Sequence, residues 1–404
     1  MRPVAGWVAG LALVAVIAGC QERLTAPADC PELCPGGNQS VFDTVLPPRD
    51  NLDSSIAGYV ARGQGLALLV SSGFAASEDR AVYRFVARPD SAELRDTLRA
   101  YTVDSVFLSF NLVARDTLVD GLSVIVYRLP ATVDSTATFD QIEVQLTDAN
   151  LIDTIPIPDS VSSGGFRAVL TGSELDRVAL PLGTGGVLAV ALRITAAAPT
   201  GIRLGAITGG NAAQFTSFLT LLDVPDTGST LHPALVRTTS FNTFVTQTQL
   251  IPDDQFLTVG GEPSSRTFLR FDLPTFLEDS ATVIRATLEL IPTGPIPGLP
   301  GDPALLEARA VLADLGAKSP LTTDSRFIVA DTLPVGTSDT VRLDLTDIVQ
   351  LWQASTDRPD AVVLSLLPEA ATFTRAVFGS TRSGTVGPPR LRITYLRGFP
   401  FENP

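Results

Sequence analysis

Apolar and polar residues alternate through most of the chain after residue 50. Five segments carry the pattern clearly: "SVFLSFNLV" (105–113), "LSVIVYRL" (122–129), "RATLELIP" (285–292), "TVRLDL" (340–345) and "RLRITY" (390–395). Such alternation is typical of antiparallel strands with one face in a core and the other in water. Because turn-forming residues separate the segments, the sequence predicts an all-β protein built of many short strands.

One segment has helical spacing instead. In "LTDIVQLWQAS" (345–355), Ile348, Val349 and Trp352 share one helical face, and Thr346 precedes them as a predicted N-cap. Many strands with few helices favour antiparallel β-sandwiches of a jelly-roll-like kind.

The second half of the chain echoes the first. "AVYRFVARPDS" (81–91) resembles "TFLRFDLPTF" (267–276), and each is followed by a long strand pattern, at 101–112 and 281–292. The order of these matches indicates two divergent copies of one domain in tandem. We therefore predict a first sandwich over residues 50–227, a second over 228–398, and a short tail over 399–404.

The second copy resembles the DNRLRE domain family over about residues 229 to 397. The resemblance lies in "TFLRFDLP", "ATVIRATLELIP", "VRLDLTDIVQLWQ", "AVVLSLLP" and "PRLRITY". It implies a sandwich similar to the carbohydrate-binding modules of secreted and surface proteins. Because the matching residues are mostly core positions, they indicate fold far better than function. The first copy departs from the pattern at Tyr83-Arg84-Phe85 and lacks the tryptophan, so only a similar sandwich is expected there.

The N-terminus has the pattern of an export signal. Arg2 precedes an apolar run from Val4 to Ala18, which is shorter than the roughly 20 residues of a membrane-spanning helix. Its end resembles the bacterial lipobox, with Ile17, Ala18 and Gly19 before Cys20. The resemblance implies cleavage after residue 19 and acylation of Cys20. The alternative, an ordinary signal cut elsewhere with Cys20 incidental, stays open.

Residues 20–49 are predicted to be a flexible tether. This stretch is rich in proline, glycine and polar residues and has no period. Cys30 and Cys34 are the two cysteines left after Cys20, and an exported pair most simply forms a small disulfide loop. Several acyl chains anchor stably where one would not, so we expect a lipid-anchored protein of the bacterial envelope. Gln21 after the anchor favours the outer membrane by the enteric sorting rule.

The charge restricts the partners. The formal net charge is −14 and the pI is about 4.5. Nucleic acid is not expected as a partner, because phosphate binding requires basic patches. Anionic headgroups would also repel this surface, so the lipid alone should make the membrane contact.

Candidate catalytic and metal-ligating groups are few. His232 is the only histidine, no GxSxG motif occurs, and a histidine-rich zinc or iron site is excluded by the count. We therefore predict no catalytic residue and no cofactor. Carboxylates are abundant, so an acid–base pair for glycoside cleavage stays an alternative. The loops "TDAN" (147–150) and "PDDQ" (252–255) could supply oxygen ligands, so a structural calcium ion also stays an alternative.

Sugar-binding aromatic residues are also scarce. Trp7 lies in the signal, which leaves Trp352 on the apolar face of the predicted helix, where core packing is expected.

The sequence is compatible with two functions. The first is a non-catalytic surface lipoprotein that presents two sandwiches for structural or adhesive contacts with a surface protein. The alternative is a glycan-binding or polysaccharide-processing accessory lipoprotein, which rests on the resemblance alone.

Overall fold

The computed structural model describes residues 41–75, 77–94, 97–179, 186–222, 233–247, 252–355 and 357–397. These residues form an all-β protein of several antiparallel sheets with a few short helices, which confirms the predicted fold class. The predicted signal (1–19), most of the tether and the tail lie outside the described residues.

The strands are described here in chain order. They are β1 Val41–Leu46, β2 Ser54–Ala57, β3 Ala67–Phe74, β4 Ser77–Phe85, β5 Ala92–Leu94, β6 Thr97–Arg99, β7 Tyr101–Arg115, β8 Ser123–Leu129, β9 Leu151–Pro156, β10 Gly164–Thr171, β11 Ala189–Thr195, β12 Thr200–Gly205, β13 Gln214–Leu221, β14 Ala234–Thr246, β15 Phe256–Gly260, β16 Ser265–Arg270, β17 Ala281–Leu290, β18 Leu305–Ala310, β19 Ile328–Thr332, β20 Val341–Asp344, β21 Ala361–Leu367, β22 Arg375–Gly379 and β23 Arg390–Arg397. The α-helices are α1 Phe139–Glu143, α2 Thr275–Asp279 and α3 Thr346–Gln353.

The first unit is formed by β3, β4 and β7 to β14, which pair into one ten-stranded sheet. Strand β14 lies at one end of the strand order and also pairs with β4, so the sheet closes on itself. Closure places one core inside, with Leu68, Phe110 and Phe244 from three different strands in a single apolar cluster.

The second unit is formed by β1, β2 and β15 to β23. Strands β1, β23, β17 and β20 form one sheet, and the remaining strands form a seven-stranded sheet. Leu288 and Ile393 from the first of these sheets share one buried cluster with Leu257 and Leu364 from the other. The two sheets therefore pack face to face around a common core.

The two units use nearly the same pattern of strand pairing. Strands β3, β4 and β7 to β13 of the first unit correspond in order to β15 through β23 of the second, and their pairings recur except for that of β12 with β7. At the equivalent place in the second unit a single bridge joins Pro292 to Phe378, so the second unit has two sheets where the first has one. Even one irregularity repeats: Asp104 is skipped where β7 pairs with β13, and Ile284 is skipped where β17 pairs with β23. A bulge at equivalent positions indicates that the halves are two versions of one arrangement.

The first strand segment of each half pairs with the other unit. Strands β1 and β2 precede the first unit in sequence, yet β1 pairs with β23 and β2 pairs with β16. Strand β14 precedes the second unit, yet it pairs with β13 and β4. Relative to the predicted boundaries at 49/50 and 227/228, residues 41–46 and 54–57 pair with the second unit and residues 234–246 pair with the first.

Helix α3 confirms the predicted helical segment, but Thr346 is its first residue and not its N-cap. The position before it, Leu345, caps the helix without a side-chain hydrogen bond. The Thr346 hydroxyl instead donates to Asp344 Oδ1 at 2.5 Å and accepts from the backbone N–H of Ala286 at 3.0 Å. The residue therefore ties the helix to β17.

Side chains also join the two units. Nη1 of Arg203 in β12 lies 2.6 and 2.7 Å from the two carboxylate oxygens of Asp302, and both side chains are mostly buried. The rings of Phe74 and Phe373 meet edge to face with centroids 5.2 Å apart. These contacts fix one unit against the other.

Candidate functional site

The predicted anchor residues lie outside the part of the chain that the structure describes. His232 lies outside that part as well. The anchor residues are the lipobox residues Ile17, Ala18 and Gly19, the lipidation site Cys20 and the proposed disulfide partners Cys30 and Cys34. Their roles stay predictions. No helix among the described residues is long and apolar enough to cross a membrane.

Trp352 lies in the core of the second unit, as the sequence predicts. Its side chain is 3% exposed, and its ring lies 6.0 Å from that of Phe271. Tyr83 is also fully buried, with its hydroxyl donating to the carbonyl of Gly205 at 2.7 Å. Neither ring is presented to a sugar.

The two loops that could contribute ligands to a calcium ion are not brought together. "TDAN" (147–150) forms a turn of 3₁₀-helix before β9 in the first unit, and "PDDQ" (252–255) leads into β15 in the second. Within the described ranges, no cluster of three or more His, Cys, Asp or Glu side chains could hold a metal ion.

A polar basin of about 570 Å³ lies on the second unit. Arg49, Asn51, Asp53, Asp254, Arg270, Asp314 and Arg382 line it, with Leu52 and Ser54. Arg270 pairs with Asp314 through two contacts of 2.6 and 2.9 Å, and Arg382 donates to the buried Asp53 at 3.2 Å. The hydrogen bonds from Arg270 lower the pKa of Asp314 to about 2. Asp314 is therefore held as an anion by arginine.

A second cavity, of about 230 Å³, opens in the first unit. Its lining is Arg88, Thr102, Val103, Val106, Leu175, Asp176, Val178, Ala179, Phe215, Ser217 and Arg237. Strands β7, β13 and β14 supply most of the wall, and the 3₁₀-helix Gly172–Val178 closes one side. We call this space the Arg237 cavity.

Arg237 is the unusual member of this lining because its side chain is buried without a carboxylate. It is 2% exposed, and its guanidinium carbon lies 3.8 Å from the centroid of the Phe215 ring. Nη1 donates to the carbonyl of Gly186 at 3.2 Å, while the buried Nε has no hydrogen-bond partner. Among the described residues no acidic side chain pairs with it, although buried cations are usually paired.

The electrostatics of the Arg237 cavity favour an anion. Burial, with a smaller contribution from the nearby charge of Arg88, lowers the pKa of the Arg237 guanidinium to about 10. It therefore still carries its charge at neutral pH. The charge lies among Val106, Val178 and Phe215, where a low local dielectric strengthens its attraction for an anion.

Two carboxyl groups are buried where the units meet. Asp79 is the third residue of β4 in the first unit, and Glu262 lies in the β15–β16 turn of the second. Asp79 Oδ2 accepts from Ser71 at 2.6 Å, but its Oδ1 and both Glu262 oxygens are buried and have no hydrogen-bond partner in the part of the chain that the structure describes. Burial raises the pKa of both groups, and the charge of Asp79 adds to the rise at Glu262.

Sequence reasoning did not single out Arg237, Asp79 or Glu262. A signal for Arg237 was present, since it lies between Leu235 and Thr239 on the inward side of an alternating strand. The sequence carries no signal for the two carboxyl groups, because only the packing of the two units makes Asp79 and Glu262 neighbours.

Comparison with known proteins does not assign this chain to a family. No family model matches the chain, and no curated protein matches it. Among solved structures, a chain from the Macrobrachium rosenbergii nodavirus aligns over 88% of this chain and 89% of its own, with 9% identity and a TM-score of 0.14. A score that low carries no argument about fold or function. Membership of the DNRLRE family stays a prediction.

Proposed function

We propose that this chain is a non-catalytic surface protein of the bacterial envelope, anchored by lipid on Cys20. In this proposal the two β-units are presented for structural or adhesive contacts, with the outer membrane as the anchoring membrane. The lipobox-like Ile17-Ala18-Gly19-Cys20 and the Gln21 that follows it support the anchor.

The attachment of β1 to the second unit is the observation that carries the proposal. Val41–Leu46 is the first strand after the predicted tether, and all six of its residues pair with β23. Phe42 stacks on Tyr395 with ring centroids 5.7 Å apart, and Thr394 donates to Asp43 at 2.6 Å. A pull on the lipid end would therefore be transmitted through this ladder to both units, as suits a protein that presents surfaces away from a membrane.

The state of the carboxylates supports a non-catalytic role. A general acid for glycoside cleavage needs a raised pKa and access to substrate. In the open basin, hydrogen bonds from arginine lower the pKa of Asp314. Glu262 has a raised pKa, but its oxygens are buried at the junction of the units. Neither Asp314 nor Glu262 therefore meets both requirements.

Metabolic labelling with radioactive palmitate tests the anchor. The wild-type chain should take up label and fractionate with membranes, and Cys20→Ala should lose both properties. The double variant Cys30→Ala/Cys34→Ala is the matched control, because it removes two cysteines and should keep the label. Equal labelling of Cys20→Ala would contradict the proposal.

The polar basin favours a second candidate function, glycan binding. Asn51, Asp254 and the arginines around them offer planar hydrogen-bonding groups at an open surface. Saturable binding on a glycan array that weakens in Asp254→Ala would favour this alternative. Absence of binding across the array would favour the adhesive or structural role.

A further inference from the structure

The Arg237 cavity is a specific difference between two otherwise corresponding units. Arg237 in β14 pairs with Phe215 in β13, which pairs with Leu108 in β7. At the corresponding position in the second unit, Leu46 in β1 pairs with Leu391 in β23, which pairs with Leu288 in β17. The register counted from the shared bulge makes Arg237 the counterpart of Leu46. One unit has a cation where the other has an apolar side chain.

The helix beside this position also differs between the units, with a large apolar side chain in the second unit and none of that size in the first. In the second unit, α3 follows β20 and buries Trp352 in a core cluster that also includes Leu46 at its edge. In the first unit, the 3₁₀-helix Gly172–Val178 follows β10 and has no tryptophan. The second unit is thus filled where the first retains a cavity beside a buried cation.

We propose that the Arg237 cavity binds a small organic carboxylate, with its acid group on the Arg237 guanidinium and its apolar part against Val106, Val178 and Leu175. This inference goes beyond the proposed function and does not depend on the lipid anchor. A planar guanidinium matches the geometry of a carboxylate.

Size and charge narrow the ligand class. A volume of about 230 Å³ is smaller than ordinary drug-sized pockets of roughly 300–1,000 Å³. Arg237 supplies a buried positive charge to which no acidic side chain is paired among the described residues, and a monoanion balances that charge. The valine, leucine and phenylalanine side chains favour a short hydrocarbon chain or ring over an inorganic anion.

Isothermal titration calorimetry on residues 21–404 tests the proposal directly. The probes are a series of straight-chain carboxylates from acetate to hexanoate, with hexanol as the neutral control and inorganic phosphate as the control without a hydrocarbon part. Affinity should rise with chain length and exceed that for both controls. No saturable binding of any carboxylate, or phosphate bound as tightly as hexanoate, would overturn the proposal.

Arg237→Leu is the decisive variant because it installs the side-chain type that the second unit has at Leu46. Hexanoate affinity should fall about tenfold to a hundredfold, as expected for a lost charged hydrogen bond. The unliganded variant should unfold at higher temperature than wild type, since an unpaired buried cation is removed. Unchanged hexanoate affinity in this variant would overturn the proposal.

Two further variants keep the test interpretable. Leu175→Trp places a large ring at the partly buried edge of the cavity and leaves Arg237 in place, so it should block binding even if Arg237→Leu folds poorly. Arg326→Leu removes an exposed, carboxylate-paired arginine and should leave the affinity unchanged. Full binding in Leu175→Trp, or equal loss in Arg326→Leu, would show that the carboxylate binds elsewhere.

Discussion

The first and second units share most of their strand pairings, but they differ in the strand segment that each takes from the other half of the chain. The first unit uses a single long strand, β14, which pairs with β13 through its first half and with β4 through its second. The second unit meets the same requirement with two short strands, β1 and β2, separated by a loop. In both, the segment comes from the part of the chain that precedes the other unit. A stretch of sequence that looks like one domain is therefore not the stretch that folds together.

The units also differ in how they fill equivalent space. The second buries Trp352 and packs the partly buried Leu46 against its core beside β23, whereas the first has Phe215, Arg237 and a cavity beside β13. Close packing adds stability, and an open space beside a charge offers binding instead. The second unit is therefore filled with side chains at the place where the first unit has the Arg237 cavity, the proposed binding site.

The largest expected effect comes from cutting the chain at different boundaries. A fragment of residues 61–247 contains every strand of the first unit and should unfold cooperatively in urea. A fragment of residues 50–227 lacks β14 and should not, because β13 and β4 lose their shared partner and Phe244 leaves the core. Near-ultraviolet circular dichroism during urea titration would distinguish them.

The mirror experiment uses the second unit. Residues 252–397 alone should fold poorly, and adding a peptide of residues 41–57 should restore cooperative unfolding by supplying β1 and β2. Equal cooperativity of all the fragments, with and without the peptide, would mean that the exchanged strands contribute little to stability.

This exchange marks the limit of what the sequence could predict. The sequence predicts the long strands β7 and β17, helix α3 and the burial of Trp352, because these segments are long or strongly periodic. The segment Val41–Leu46 also alternates, but it is short and borders a proline-rich stretch, so the sequence predicts it as part of the tether. Which sheet a short strand joins is decided by tertiary packing, and no local pattern records it.

The sequence was less informative about sites. Arg237 looked like any charged residue in a strand, since burial of its guanidinium depends on the helix after β10 and on Phe215. The neighbourhood of Asp79 and Glu262 exists only because two hairpin turns from different units pack together. Groups that meet across a tertiary junction are not visible in one sequence.

The next effect tests the filled core of the second unit. Trp352→Ala removes a buried ring that packs against Phe271, and large-to-small changes of this kind cost about 3–5 kcal/mol. Urea unfolding of the full chain should show this loss of free energy of unfolding. Leu315→Ala, at an exposed leucine, is the control and should change it by less than about 0.5 kcal/mol. A small cost at Trp352 would mean that the second unit is not the better packed of the two.

A smaller effect is expected at the junction. Arg203→Met leaves Asp302 mostly buried without its partner, which should cost about 3 kcal/mol. The double variant Arg203→Met/Asp302→Leu should recover most of that loss, because no unpaired charge remains. Arg326→Met breaks an exposed pair and should cost less than about 1 kcal/mol. If Arg203→Met matched Arg326→Met in urea unfolding, the pair would not hold the units together.

The smallest expected effect is a pH dependence that arises where the units meet. The pKa of Glu262 is raised in the folded protein by burial and by Asp79, and Arg62 only partly offsets this. A raised carboxyl pKa means that the folded state holds the proton more tightly than the unfolded state. Its contribution to stability is therefore complete below the ordinary glutamate pKa and is lost as the pH rises through the raised value.

Glu262→Gln removes this ionisation, so the variant should be more stable than wild type at pH 8, and the difference should narrow toward pH 5. Urea midpoints at the two pH values measure it. Asp324→Asn is a control of opposite sign, because hydrogen bonds from Arg326 lower the pKa of Asp324 and its contribution is lost as the pH falls. If calcium chloride raised the wild-type midpoint at pH 8 but left Glu262→Gln unchanged, the junction carboxylates would be holding a cation. The pH interpretation would then be wrong.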